Sequence, residues 1–171
     1  MPSANGKPLV LFVCKHNTGR SQMAEAFLRR FTGDDVEVAS AGTVAADRAD
    51  PGVVAAMAEM GMDISTARPK LLDPAIVSHA DRIITMGCDV DGVSRVDDDW
   101  GIPDPKGQPI ERVREIRDLV CRKAGTLLKR FCGRNLGRNN TRSSSSKSAG
   151  ETTSSKSPVI SFDPSRRSNP R

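Results

Sequence analysis

The sequence predicts an α/β fold, a three-layer sandwich around a central four-stranded parallel sheet. Three observations point there. The run PLVLFVC (8–14) is apolar without interruption, as expected of a strand buried on both faces. Short apolar runs then alternate with stretches of helical period, the pattern of parallel strands joined by right-handed crossovers. A long amphipathic stretch, 109–131, supplies a helix able to cover one face of the sheet.

The elements follow in order. After the first strand, Met23, Ala24, Phe27, Leu28 and Phe31 recur at helical spacing, with Ser21 as a competent N-cap and Gly33 as the stop. VEVAS (36–40) reads as a second strand ending at Gly42. PGVVAAMAEMGM opens a second helix at Pro51 and closes it at Gly61. LLDPAIVSHAD fits a short helix, RIITMG (82–87) a third strand, and GVSRV a weaker fourth. Asp97, Asp98, Asp99 and Trp100 then form an expected loop, its three acids solvated without a metal and Trp100 in the core or beside the Asp104 loop. In the last helix Ile110, Val113, Ile116, Val120, Ala124, Leu127 and Phe131 step by three or four.

The domain is expected to span residues 1–132, followed by a disordered, basic, serine-rich tail, 133–171. The chain carries a net charge of +5. The tail holds eight Lys and Arg against two acids, which leaves −1 for residues 1–132. Basicity concentrated in a tail gives the folded part no basic docking face, so a nucleic-acid-binding domain is not expected. With 11 serines in 39 residues the tail has too little apolar surface to order itself. No window approaches the roughly 18 apolar residues of a membrane span, and the N-terminus lacks the marks of a secretion signal. A cytoplasmic monomer with no membrane partner is expected. Four cysteines, Cys14, Cys88, Cys121 and Cys132, lack paired zinc spacing, and the two histidines are His16 and His79. In a reducing compartment such cysteines suggest catalysis or burial rather than a disulfide framework.

The chemistry concentrates where the first strand hands over to the first helix. Cys14 is followed by KHNTG, then by Arg20 and Ser21. Backbone N–H groups converging at a helix N-terminus bind tetrahedral oxyanions, and an arginine fork engages two of their oxygens. The loop residues Lys15, His16, Asn17, Thr18, Gly19, Arg20 and Ser21 are therefore the expected oxyanion cradle, with Gly19 letting the backbone turn. A positive field of this kind lowers a thiol pKa from about 8.5 to roughly 3.5–7.5. Cys14 is the expected nucleophile, and Ser21 is placed to bond its sulfur, to cap the helix, or both. Lys15 either raises the local potential or is an ordinary solvated lysine. His16 has general-base and metal readings, but with no partner cluster nearby it reads as a loop residue.

The stretch VLFVCKHNTGRSQMAEAF (10–27) resembles the signature of the low-molecular-weight protein tyrosine phosphatase superfamily, and within it that of the arsenate reductases sharing the fold. The resemblance extends over residues 8–131, through SAGT (40–43), ITMGC (84–88) and DWGIPDPKGQP (99–109). It implies that Asn17 shapes the loop, that Ser40 pins it, and that Asp104 protonates the leaving oxygen. Without the resemblance, PDPKG reads as ordinary turn chemistry. In both activities Cys14 attacks the central atom of the oxyanion while Arg20 and the loop amides stabilise charge. A phosphatase then hydrolyses a phosphocysteine, whereas a reductase needs a second thiol, for which Cys88 is placed; its alternative is small apolar filler. Gln22 in RSQMAE, where phosphatases resemble RSPMAE, favours the reductase. So do DPKGQ in place of an aromatic-bearing loop and a chain without tyrosine. The expected activity is thiol-dependent reduction of arsenate to arsenite, with hydrolysis of phosphotyrosine or aryl phosphates as the alternative. Thioredoxin-coupled members carry a further cysteine six or seven residues after the second; here Ser94 and Arg95 stand there, and Cys121 and Cys132 read as structural or incidental. The expected reductant is external: thioredoxin, glutaredoxin with glutathione, or mycothiol with mycoredoxin. No bound cofactor is expected.

Overall fold

The computed structural model describes residues 6–138. Four parallel strands, β1 (Leu9–Cys14), β2 (Glu37–Gly42), β3 (Arg82–Thr85) and β4 (Asp98–Asp99), lie in the order β2-β1-β3-β4. The apolar run of β1 is continuous because alternate residues enter two different cores. Val10, Phe12 and Cys14 face one formed with α1 (Arg20–Thr32), α2 (Pro51–Ala58) and α4 (Ile110–Arg138). Leu9, Leu11 and Val13 face the other, under α3 (Pro74–His79). Helices on both faces make the three-layer sandwich that the alternation of elements predicts.

Capping explains where the shorter helices start. Asp50 accepts from the N–H groups of Gly52 and Val53, with Pro51 as the first helical residue, and Asp73 with Pro74 repeats the device at α3. At α1 the expectation fails. Gly19 is the N-cap, with no side-chain cap, and Ser21 lies inside the first turn. The hydroxyl of Ser21 is directed into the site instead. Helix α4 buries Val113, Ile116, Val120, Ala124 and Leu127, each larger aliphatic contributing about 1.5–3 kcal/mol. It is tied to α2 by Arg114 and Arg117, which both bond Glu59. The Arg114 hydrogen bonds hold the Glu59 carboxyl below its usual range. α4 continues to Arg138, past the boundary expected at Cys132; the rest of the expected tail lies outside the described residues.

The fourth strand is not GVSRV but Asp98–Asp99. Hydropathy cannot find a two-residue acidic strand, because backbone geometry and not apolar burial attaches it. Asp97 N–H donates to Ile83 O at 2.9 Å, and Ile83 N–H donates to Asp97 Oδ2 at 2.8 Å. Trp100 N–H donates to Thr85 O, and the Trp100 ring packs 5.1 Å from that of Phe12 in the core. Asp98 and Asp99 are therefore strand residues and not loop, while Asp97 and Asp99 remain exposed. Among the described residues no helix is long and apolar enough to cross a membrane.

Parallel register brings the carboxyl ends of the strands together, with Cys14 opposite Gly42. A Cβ at Gly42 would lie 2.7 Å from His16 C and 2.8 Å from Asn17 N, both backbone atoms of the loop after β1. Gly42→Ala should therefore cost about 1–3 kcal/mol of stability, read from the midpoint of a urea titration, and should weaken phosphate binding because it displaces the loop itself.

Candidate active site

The loop from Cys14 to Arg20 is organised by one side chain. Asn17 is fully buried and adopts φ 55°, a left-handed conformation uncommon outside glycine. Its Oδ1 accepts from Lys70 N–H at 2.8 Å, which fixes which way the amide faces. Nδ2 then donates to Ser21 Oγ and to Ser40 Oγ, both at 2.8 Å. With its oxygen already accepting, Ser21 has its proton free for Cys14 Sγ, 2.9 Å away. The sulfur also accepts from Asn17 N–H at 3.2 Å. Ser40 in turn donates to Glu25 Oε2, and Glu25 is paired with Arg29 and Lys70.

Arg20 opens α1, whose first turn holds no acid to offset the positive end of the helix dipole. Its guanidinium is nearly buried and faces the carbonyl oxygens of Ile102, at 3.1 Å, and Met86, at 3.5 Å. The other arm meets Asp104 Oδ2 at 3.1 Å. Asp104 is more than half exposed, and its second oxygen accepts from Lys106 N–H. A cleft over Cys14 is lined by His16, Thr18, Gly19, Arg20, Asp50, Asp104, Pro105 and Lys106. Gly19 serves the close approach of the Asp104 loop: a Cβ there would lie 3.0 Å from Pro105 Cγ.

Cys88 follows β3 and is half-buried. Burial pushes its thiol up from the ordinary cysteine range; Arg20 opposes this, the charge on Cys14 adds to it, and Lys15 N–H draws it back slightly. Both Cys14 and Arg20 are thus within electrostatic reach of the second thiol.

A cysteine, a loop of five residues, an arginine at a helix start and an aspartate facing that arginine stand together at the carboxyl rim of a parallel sheet. The low molecular weight phosphotyrosine protein phosphatase family matches residues 9–140. The chain belongs to that family. It is 38% identical over 128 residues to a putative arsenate reductase of Halobacterium salinarum, covering 70% of this chain and 90% of that protein. A thioredoxin-dependent arsenate reductase of Corynebacterium glutamicum superposes with a TM-score of 0.66 at 34% identity, covering 77% of this chain and 65% of that one. An arginine phosphatase of Geobacillus stearothermophilus superposes with a TM-score of 0.65 at 26% identity, covering 79% and 99%. One family scaffold therefore carries both reductases and phosphatases.

Of the residues expected from sequence, Cys14, His16, Thr18, Gly19, Arg20 and Asp104 line the cleft. Asn17, Ser21 and Ser40 lie buried behind it as its support. Lys15 is exposed and outside the cleft lining, though its N–H faces Cys88. Cys121 is half-buried at the edge of the core and Cys132 is exposed, in keeping with incidental roles. Gln22 is buried with neither amide atom hydrogen-bonded, and nothing in the structure explains it.

Sequence reasoning missed Asp50, Pro105 and Lys106 in the cleft wall and Glu25 and Lys70 behind the loop. The Asp50-Pro51 pair was readable as a cap and helix start, and Glu25 stands within RSQMAE. Lys70, 53 residues from Asn17, carried no local signal.

Two outcomes follow from this geometry. Asn17→Ala removes two buried side-chain hydrogen bonds and a third that is partly buried, and should cost about 1–3 kcal/mol, with a parallel loss of phosphate affinity measurable by calorimetry. Cys88 should alkylate more slowly than a free thiol at neutral pH. Its reaction with iodoacetamide, followed by peptide mass spectrometry, should accelerate only above the ordinary cysteine range, because a raised pKa keeps the nucleophilic thiolate scarce until then.

Proposed function

We propose that this protein reduces arsenate to arsenite at the expense of two thiols, Cys14 and Cys88. The observation that supports the reading is a second thiol, Cys88, packed against the core cluster that holds Cys14, beside a cleft lined by Cys14, Arg20 and Asp104. The Cys14 sulfur, already accepting hydrogen bonds from Asn17 N–H and Ser21, attacks arsenic. One arsenic–oxygen bond breaks, and Asp104 protonates the oxygen that leaves. Arg20 and the loop amides hold the remaining charged oxygens. Cys88 then attacks Cys14 Sγ. A sulfur–sulfur bond forms, the sulfur–arsenic bond breaks with its electron pair going to arsenic, and arsenite departs.

The two electrons come from the two thiols, so an external reductant must restore them. A thioredoxin-type dithiol is the reading closest to the thioredoxin-dependent relative. Glutaredoxin with glutathione, or mycothiol with mycoredoxin, would serve the same balance. The reductase is placed in the cytoplasm, where such reductants operate.

The phosphatase reading shares the first step and needs no Cys88. It is disfavoured by a cleft wall of Asp50, Pro105 and Lys106, with no phenylalanine or tryptophan to flank a phosphorylated ring.

The test supplies arsenate with thioredoxin, its reductase and NADPH, and assays an aryl phosphate in parallel. Cys14→Ser should abolish both activities. Cys88→Ser should lower arsenite formation by at least about a hundredfold, an effect of roughly 2.7 kcal/mol on the barrier, while leaving aryl phosphate turnover within a fewfold of wild type. Brisk aryl phosphate hydrolysis with no arsenite from any thiol would replace the reductase by the phosphatase.

A further inference from the structure

We infer that a groove between β4 and α4 binds a small soluble organic phosphate, with its phosphate groups against Arg122, Lys123 and Arg130 and its apolar body against Leu119 and Trp100. The groove shares no residue with the oxyanion cleft, and the inference is independent of the thiol pair.

The first observation is a segregation of charge along α4. In its first half every arginine is paired: Arg112 with Glu115, Arg114 with Glu59, and Arg117 with Glu59 and Asp118. Beyond Asp118 the acids stop. From Leu119 to Gly150 the sequence carries eight Lys and Arg and no Asp or Glu. The near-neutral sum over residues 1–132 hides this run, because the balancing acids stand elsewhere in the chain. Among the described residues neither Arg122 nor Lys123 has a carboxylate in ion-pair contact, and Arg130 meets Asp98 only at 3.9 Å. The helix dipole does not account for them. It favours cations in the last turn, and Arg122 lies about four turns before Arg138.

The second observation is that these cations share a concave surface. Spacings of three and four place Leu119, Arg122, Lys123, Leu127 and Arg130 on one side of the helix. There they meet Asp98 and Trp100 across a groove of about 410 Å³, within the roughly 300–1,000 Å³ of small-ligand sites. Three cations thus line one groove with a single acid, Asp98. Lys123 also acts on the Asp99 carboxylate, but that group is already held by Thr85 and Gly87. The charge left over in the groove is positive, and it is carried on a regular helix whose backbone need not rearrange to receive an anion.

The walls select the ligand. Arg122 and Arg130 present planar forks that match phosphate oxygens, and Lys123 adds a point charge. Leu127 and Trp100 are buried at the groove and Leu119 is half-buried, so one wall is apolar. A bare inorganic ion would leave that wall unused. An organic body carrying several phosphate charges engages both walls at once.

The probe is ATP in magnesium-free buffer, titrated into the full chain by calorimetry and by the emission of Trp100, the single tryptophan. ATP should bind with a change in that emission, more tightly than inorganic tripolyphosphate or adenosine, and binding should weaken as salt rises. Arg122→Gln with Lys123→Gln should lower ATP affinity by at least about tenfold, while arsenate and aryl phosphate turnover stay at the wild-type level because the oxyanion cleft is intact. Lys7→Gln with Arg30→Gln removes the same charge away from the groove and should leave ATP affinity nearly unchanged. No binding of ATP, an unchanged affinity in the groove variant, an equal loss in both double variants, or tripolyphosphate binding as tightly as ATP would each overturn the inference. All of these outcomes leave the reductase reading intact.

Discussion

The side-chain amide of Asn17 is the interaction on which the site depends. Its orientation is not free, because Lys70 N–H is an obligate donor and meets Oδ1. Once that oxygen is taken, both protons of Nδ2 must go elsewhere, and two serine oxygens receive them. Each serine is then left with one proton to give, Ser21 toward the Cys14 sulfur and Ser40 toward Glu25. A single backbone N–H from a segment remote in sequence thus sets the polarity of a chain of hydrogen bonds ending at the Cys14 sulfur. The same bonds hold Asn17 in a left-handed conformation that would otherwise be strained, so the loop's shape and the sulfur's environment have one cause.

The sheet makes that arrangement possible. Because β2 and β3 both run parallel to β1, their carboxyl ends arrive at the same rim as Cys14 and deliver Ser40 and Gly42 from one side and Met86 from the other. Gly42 lets the loop backbone lie against β2, which brings Ser40 within reach of Asn17. On the opposite side the carbonyls of Met86 and Ile102 fix the Arg20 guanidinium without neutralising it. The positive charge is held by neutral acceptors and, among the described residues, is paired with one carboxylate, the exposed Asp104. A cation so positioned is pre-organised for an anion and undergoes little rearrangement when one arrives.

Much of this was legible in the sequence, and the parts that were not have definite physical reasons. The buried strand, the loop and the first helix announce themselves because a doubly buried strand is apolar throughout and because cysteine, glycine and arginine there have few other uses together. The last helix was read from its apolar stripe, but its continuation to Arg138 was not, since that stripe ends near Phe131. GVSRV looked like a strand by composition, while the true fourth strand is two aspartates attached by backbone hydrogen bonds, a feature hydropathy does not register. Ser21 was placed correctly as a partner of the sulfur, but its capping role does not occur, because the helix already begins at Arg20 with Gly19 as its N-cap and Ser21 lies inside the first turn. Glu25 and Lys70 depend on contacts across 15 and 45 residues or more, which no local pattern encodes.

The two cysteines show how one scaffold supports two chemistries. Phosphoryl transfer and arsenate reduction both need a nucleophilic sulfur under an anion cradle, and the residues of β1, the loop and α1 provide it without regard to which oxyanion arrives. What separates the outcomes is whether a second sulfur can reach the first before water does. In the proposed reduction Cys88 is that sulfur; it follows β3, next to a Gly87 N–H bonded to Asp99, and burial disfavours its anion. A protonated neighbour does not bring a second negative charge to a site that must accept an anion. In the proposed reduction it would act as a nucleophile only on losing its proton, and Arg20 and Lys15 N–H both favour its anion. In that proposal, the burial that disfavours the Cys88 anion also keeps a second negative charge away from the first step.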